Sequence, residues 1–191
     1  TGAFGDRFVK IMRTYGLNPI VIEEPWGHAA DLDKLKASLR EHSDVSAVFY
    51  QHTDTSTGIR NDLKTISKIV HENSSALLVV DAISSLGAEV LETDAWDLDV
   101  VLSASQKGLM APPGLAYAAI SQKAWKRVDQ AKLPRFYFDW KMMRNSLPNK
   151  ETPFTPAILL IAAQAEALRL LEVEGIETAW KRTEALARWT R

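Results

Sequence analysis

Two residues of contrasting chemistry, Asp81 and Lys107, each follow a short apolar run and open onto small and hydroxylic side chains. Asp81 closes Ala76-Leu-Leu-Val-Val80 and begins Asp81-Ala-Ile-Ser-Ser-Leu-Gly87. Lys107 lies in Ser103-Ala-Ser-Gln-Lys107-Gly108, directly after Asp99-Val-Val-Leu102. A third run, Val45-Ser-Ala-Val-Phe-Tyr50, feeds Gln51-His-Thr-Asp-Thr-Ser-Thr-Gly58. A lysine amine condenses with an aldehyde to a Schiff base. A buried carboxylate against a pyridine nitrogen keeps that nitrogen protonated, which makes the ring an electron sink. Hydroxyl and amide donors beside them suit a ring oxygen and a phosphate. Each piece alone has a plainer reading. An Asp after a strand serves as a turn or cap residue, a loop Lys as a solvated charge, and Ser/Thr at 53–57 as a helix cap. Their order at three successive strand ends is what joins them.

The elements that must position these groups alternate in type. Phe8, Met12 and Tyr15 recur at helical spacing within 4–15, and the β-branched run Pro19-Ile-Val-Ile-Glu23 predicts a strand. Helices are expected over 31–41, with Asp31 or Asp33 as cap, and over 62–72. Strands are expected over 45–50, 76–80, 99–102 and 115–120. From Ser121 the pattern turns helical. A long helix starts at Pro156 and stops at Gly175, and another begins at Glu177. Strands separated by helices of this length give an α/β fold built of βαβ units around a mostly parallel sheet. Ligands bind at the carboxyl ends of such strands, where Asp81 and Lys107 fall. Residues 1–174 read as the major part of one large domain, and 175–191 as the start of a small C-terminal one.

Composition narrows the class. The chain has 191 residues, 46% apolar and 25% charged, which is enough to bury a core. A formal net charge of -1 gives no basis for capturing nucleic acid or an anionic membrane. Cysteine is absent, so this stretch has no disulfide, thiolate metal site or cysteine nucleophile. No apolar run reaches the roughly 20 residues of a membrane span, and no signal-peptide pattern opens the chain, so a cytoplasmic location is the default. His28, His42 and His71 have no metal-ligand spacing and read as surface residues, whereas His52 is a candidate pocket residue. The missing initiator Met and the helical pattern still running at Arg191 predict a fragment of a longer polypeptide.

The stretches Asp81–Gly87 and Ser103-Ala-Ser-Gln-Lys107-Gly-Leu-Met-Ala-Pro-Pro-Gly114 resemble the signature of class V aminotransferases, on the alanine–glyoxylate and serine–pyruvate side. Gly2-Ala-Phe-Gly-Asp-Arg7, His52–Gly58 and Thr152-Pro-Phe-Thr-Pro156 match in order and spacing as well. The resemblance implies fold type I of the pyridoxal-phosphate (PLP) dependent transferases, here an incomplete large-domain α/β/α sandwich, and a homodimer with shared active sites. It implies transamination between alanine or serine and glyoxylate or pyruvate. Lys107 would form the Schiff base and afterwards move a proton as a free amine, and Asp81 would pair with the pyridine nitrogen. Phe4 and Ile83 would flank the ring. Thr55 would bond the ring hydroxyl and Gln106 the phosphate, while Thr155 and Thr152 would reach the phosphate of the neighbouring subunit. Threonine stands at 152 where the family more often has tyrosine. A Ser/Gly-rich phosphate loop is implied upstream of residue 1 and a carboxylate-binding arginine downstream, so the isolated segment is expected to hold PLP weakly. Two other readings stay open. One is a PLP-dependent lyase or desulfurase, although that class carries His where Gln106 stands. The other is a non-catalytic domain in which Lys107 and Asp81 form a structural ion pair.

Overall fold

A computed structural model describes residues 1–191. Its helices are α1 (Gly2–Thr14), α2 (Leu32–Glu41), α3 (Leu63–Asn73), α4 (Gln122–Gln130), α5 (Trp140–Ser146), α6 (Ile158–Glu174) and α7 (Ile176–Thr190). The strands are β1 (Ala47–Gln51), β2 (Thr53–Asp54), β3 (Ile59–Arg60), β4 (Leu77–Asp81), β5 (Val100–Ala104) and β6 (Ala116–Ile120). β1, β4, β5 and β6 form one sheet in that order, parallel except for the antiparallel β5–β6 pair.

Local sequence explains most of this. The Asp31 carboxylate accepts from the N–H groups of Asp33 and Lys34 at 2.9 and 3.1 Å and starts α2. Asp62 starts α3 through Thr65 at 3.1 Å. Both helices turn apolar stripes inward. Leu35, Leu39, Leu63, Ile66 and Val70 pack with Leu78 and Val80 of β4 and Val101 of β5 on one face of the sheet. The other face is thinner: Val79, Val100 and Ala124 pack there with Phe49, and Phe8 of α1 meets Phe49 edge-on at 5.4 Å. Helices on both faces are why β4 is an unbroken apolar run. No helix is long and apolar enough to cross a membrane.

Three departures from the sequence expectations lie in the fold itself. Residues 19–23 are not a strand. A β-branched run becomes a strand only beside a neighbour that takes its backbone bonds. Residues 17–24 instead face β1 across a groove of about 840 Å³, and Pro19 has no N–H to give. In the polar stretch after β1, β2 and β3 form a small antiparallel hairpin, closed through Gly58 at φ +69°. His71 is not a free surface residue either. Its Nε2–H donates to the Asp97 carbonyl at 2.9 Å, and its Nδ1 accepts from Lys123 at 3.2 Å.

Lys123 also donates to Asp99, which is 1% exposed, and Asp99 accepts from the Leu78 N–H and the Ser121 hydroxyl. This network ties together the ends of β4, β5 and β6 opposite Asp81 and Lys107. It fixes the sheet from below while the chemistry sits above.

Candidate active site

Register brings the three polar segments to one edge. Gln51 of β1 lies opposite Asp81 of β4, and Asp81 lies opposite Leu102 of β5. The chain therefore leaves all three parallel strands at the same level. The loops after β4 and β5 are then pressed together at two glycines. A Cβ on Gly87, whose φ is +85°, would stand 2.7 Å from the Gly108 carbonyl oxygen, and one on Gly108 would collide with the Leu86 carbonyl. This contact, open only to residues without side chains, sets Lys107 beside the Asp81 loop.

Lys107 Nζ donates to Thr55 Oγ1 and to Ser84 Oγ, each at 2.8 Å, and stands 5.3 Å from the centre of the Phe4 ring. Phe4 is held by its backbone. Its N–H donates to Asp54 Oδ2 at 3.1 Å, and the Ala3 N–H donates to Ser56 Oγ at 3.0 Å. Asp54 is fully buried. Burial pushes its carboxyl up, but donors from Ser56, Phe4 and Thr57 outweigh that and hold it below the ordinary carboxylate range. A charged Asp54 thus staples the start of α1 to the β2–β3 hairpin.

Asp81 is poised differently. Burial pushes its carboxyl above the usual range, opposed by the Ile83 N–H and the Lys107 charge. Oδ1 accepts from Ile83 at 2.9 Å, and no protein donor reaches Oδ2. Asp81 and Lys107 do not pair within 4 Å, so the structural ion pair is not formed, and Lys107 is held by hydroxyls instead. Phe4, Asp81, Ile83, Gln106 and Lys107 line one pocket of about 290 Å³, with Phe8, Ile11 and Leu102 as apolar wall.

Five of the eight expected residues thus line this pocket, and Thr55 joins through its bond to Lys107. Thr152 and Thr155 do not. Both are exposed outside it, and Thr152 Oγ1 donates to the Phe154 carbonyl at 2.7 Å. Sequence reasoning missed Ser84, Asp54 and Arg7 as site residues. Ser84 and Asp54 lie inside the motifs and carried no separate signal. Arg7 could have been found by spacing, because it stands three residues after Phe4 on α1, where side chains become neighbours. Its guanidinium carbon is 4.8 Å from the Phe4 ring centre.

His52 does not line the pocket. It is 3% exposed and lies edge-on to Trp96, with ring centres 6.2 Å apart. Burial and the nearby Arg60 charge push it from 6.5 down to about 4. The unfolded chain therefore binds a proton between those values that the folded chain refuses. The stability is complete above pH 6.5 and is lost as pH falls towards 4, about 3 kcal/mol in all. His52→Gln is expected to flatten denaturation midpoints across this window. An unchanged slope in the variant rejects the assignment.

The donor set fits PLP. A lysine amine, a carboxylate with one oxygen free, and the apolar faces of Phe4 and Ile83 surround a single pocket. The model for the family described as aminotransferase class-V matches residues 9–191. The chain belongs to that family.

A soluble hydrogenase small subunit of Synechococcus sp. (strain PCC 6716) is 43% identical over all of this chain and 50% of its own length. A serine–glyoxylate aminotransferase of Methylorubrum extorquens is 34% identical over all of this chain and 49% of its own. The crystal structure of an alanine–glyoxylate aminotransferase from Nostoc sp. superposes with a TM-score of 0.89 at 33% identity, covering 95% of this chain and 48% of that one. The α/β architecture is that of the fold type I, PLP-dependent aminotransferases. The chain spans about half the length of these relatives.

Proposed function

We propose that this chain carries the reactive lysine and the pyridine-pairing carboxylate of a PLP-dependent aminotransferase. In this reading the enzyme moves an amino group between alanine or serine and glyoxylate or pyruvate. The observation that carries it is the single pocket shared by the Lys107 amine, the free oxygen of Asp81, Phe4 and Ile83. The names of the Methylorubrum and Nostoc relatives support a small amino acid and glyoxylate as the pair.

When bound, PLP supplies an electrophilic aldehyde and a ring able to accept electrons. The residues do the rest. Lys107 supplies the amine that holds the aldehyde, and as a free amine it takes the proton from the substrate Cα. Asp81 accepts from the pyridine nitrogen with its free oxygen and keeps that nitrogen protonated. Its burial, which raises its own proton affinity, makes it a strong acceptor for such a donor. Phe4 and Ile83 would offer apolar surfaces to the two faces of the ring and exclude water from it. Thr55 serves the ring hydroxyl and Gln106 the phosphate. Thr155 and Thr152, outside this pocket, serve the phosphate of a second subunit in a homodimer. Gly175, at φ +83° between α6 and α7, marks the passage from the large domain, 1–174, to the start of the small one.

The test adds PLP to the purified full-length protein, records the absorbance of the lysine imine, reduces it with borohydride and maps the labelled peptide. Label on Lys107 supports the reading. Label on a different lysine, or none, rejects it.

A further inference from the structure

Ser84 touches the reactive amine as closely as Thr55 does, at 2.8 Å, and it lies on a turn built to hold it there. The Ser85 and Leu86 N–H groups bond back to the Ala82 carbonyl, and Gly87, three residues after Ser84, is clamped against Gly108, next to Lys107. The neighbouring serine shows what an ordinary turn hydroxyl does here. Ser85 is fully buried, and its Oγ bonds the Ala82 carbonyl of its own turn. Ser84 Oγ makes no bond to its own backbone. Its partners are Lys107 Nζ and Thr55 Oγ1, both from other loops.

Each hydroxyl has one proton to give and two lone pairs. In the structure one of the two hydroxyls donates to the other, and Lys107 donates an N–H to each. Thr55 is the one expected to turn to the cofactor ring oxygen. Once its proton is committed there, Ser84 is the hydroxyl left to hold the amine.

We infer that Ser84 is a positioning residue for Lys107. It accepts an N–H from the free amine and aims the nitrogen lone pair at the substrate Cα–H bond while that proton is transferred. The Cα–H bond breaks and an N–H bond of Lys107 forms, with no net gain or loss of a proton at Ser84. This rests on the reading of Lys107 as the reactive lysine.

The experiment uses the full-length protein as wild type, Ser84→Ala and Ser84→Thr. Misplacing a proton acceptor by about 1 Å costs on the order of a hundredfold in rate, so S84A should lower kcat by about tenfold to a hundredfold with KM little changed. The decisive readouts are two. One is the primary isotope effect with substrate deuterated at Cα, which should rise in S84A because proton transfer becomes slower relative to the other steps. The second is the rate at which the apo protein captures PLP on Lys107, followed by imine absorbance and borohydride trapping, which should fall several-fold. S84T keeps the hydroxyl and should restore both. A misfolded or merely loosened variant loses active protein and leaves the isotope effect where it was. If either the isotope effect or the capture rate is unchanged in S84A, the inference is overturned. If wild type is labelled at another lysine, it is the reading of Lys107 that has failed.

Discussion

Lys107→Ala is expected to lose the proposed transamination by a factor of about 10⁴ or more, since in that reading both the covalent anchor and the proton acceptor go at once. The fold should survive. Lys107 is half-buried and serves no core contact, and its loss leaves Thr55 and Ser84 bonded to each other rather than orphaned. The stability change should therefore stay within about 1 kcal/mol. Lys107→Arg separates charge from chemistry. The guanidinium keeps the positive charge and its donors, but it stays protonated at any working pH and forms no stable imine. The arginine variant should be as inactive as the alanine variant while retaining more of the wild-type affinity for PLP. Turnover measured beside thermal unfolding checks both parts. Arginine supporting more than about a hundredth of wild-type turnover, a residue larger than general acid–base loss alone can leave, would mean that another amine does the work.

Lys107 is legible in the sequence from its place just after an apolar strand and from the motif around it. Apolar runs at 76–80 and 99–102 are strands because helices cover both faces, and parallel strands deliver their following loops to one edge. That much is written in local hydrophobic pattern, as are the Asp31 and Asp62 caps that start α2 and α3. What was not legible depends on partners distant in sequence. Residues 19–23 have the composition of a strand, yet no neighbouring strand meets them, and pattern alone does not report a missing neighbour. Ser84 and Asp54 were visible as letters in motifs. Their roles come from contacts across 23 and 50 residues of sequence, which no local spacing encodes. His71 was misplaced for the same reason, because its partners Asp97 and Lys123 come from other loops.

Asp81→Asn should be the second most damaging change, and its interest lies in how little else it alters. Asparagine is nearly isosteric and keeps an oxygen for the Ile83 N–H, so the turn into Ser84 should hold. The lost property is the negative charge at the free oxygen, where an amide NH₂ or a neutral carbonyl would now face the pyridine nitrogen. Without it the nitrogen is no longer held protonated and the ring withdraws electrons poorly, so turnover should fall by about a hundredfold to ten-thousandfold.

The pH dependence follows from the direction of the Asp81 shift. Burial raises the carboxyl of the cofactor-free protein above its unfolded value, so the folded chain takes up that proton more readily than the unfolded one. The charged form is therefore a cost to the folded state above that raised value, and the cost disappears as pH falls through it. A protonated pyridine nitrogen reverses the balance by giving the carboxylate a partner. PLP affinity in the wild type should consequently weaken as pH drops through the raised Asp81 value, at a higher pH than an ordinary exposed carboxylate would show. In D81N that acid limb should be absent, with affinity low throughout and the cofactor-free protein no less stable than wild type at neutral pH. PLP titrations of both proteins from neutral to mildly acid pH decide it. An acid limb of equal size in D81N places the titrating group elsewhere, and the free oxygen of Asp81 then has no claim on the ring.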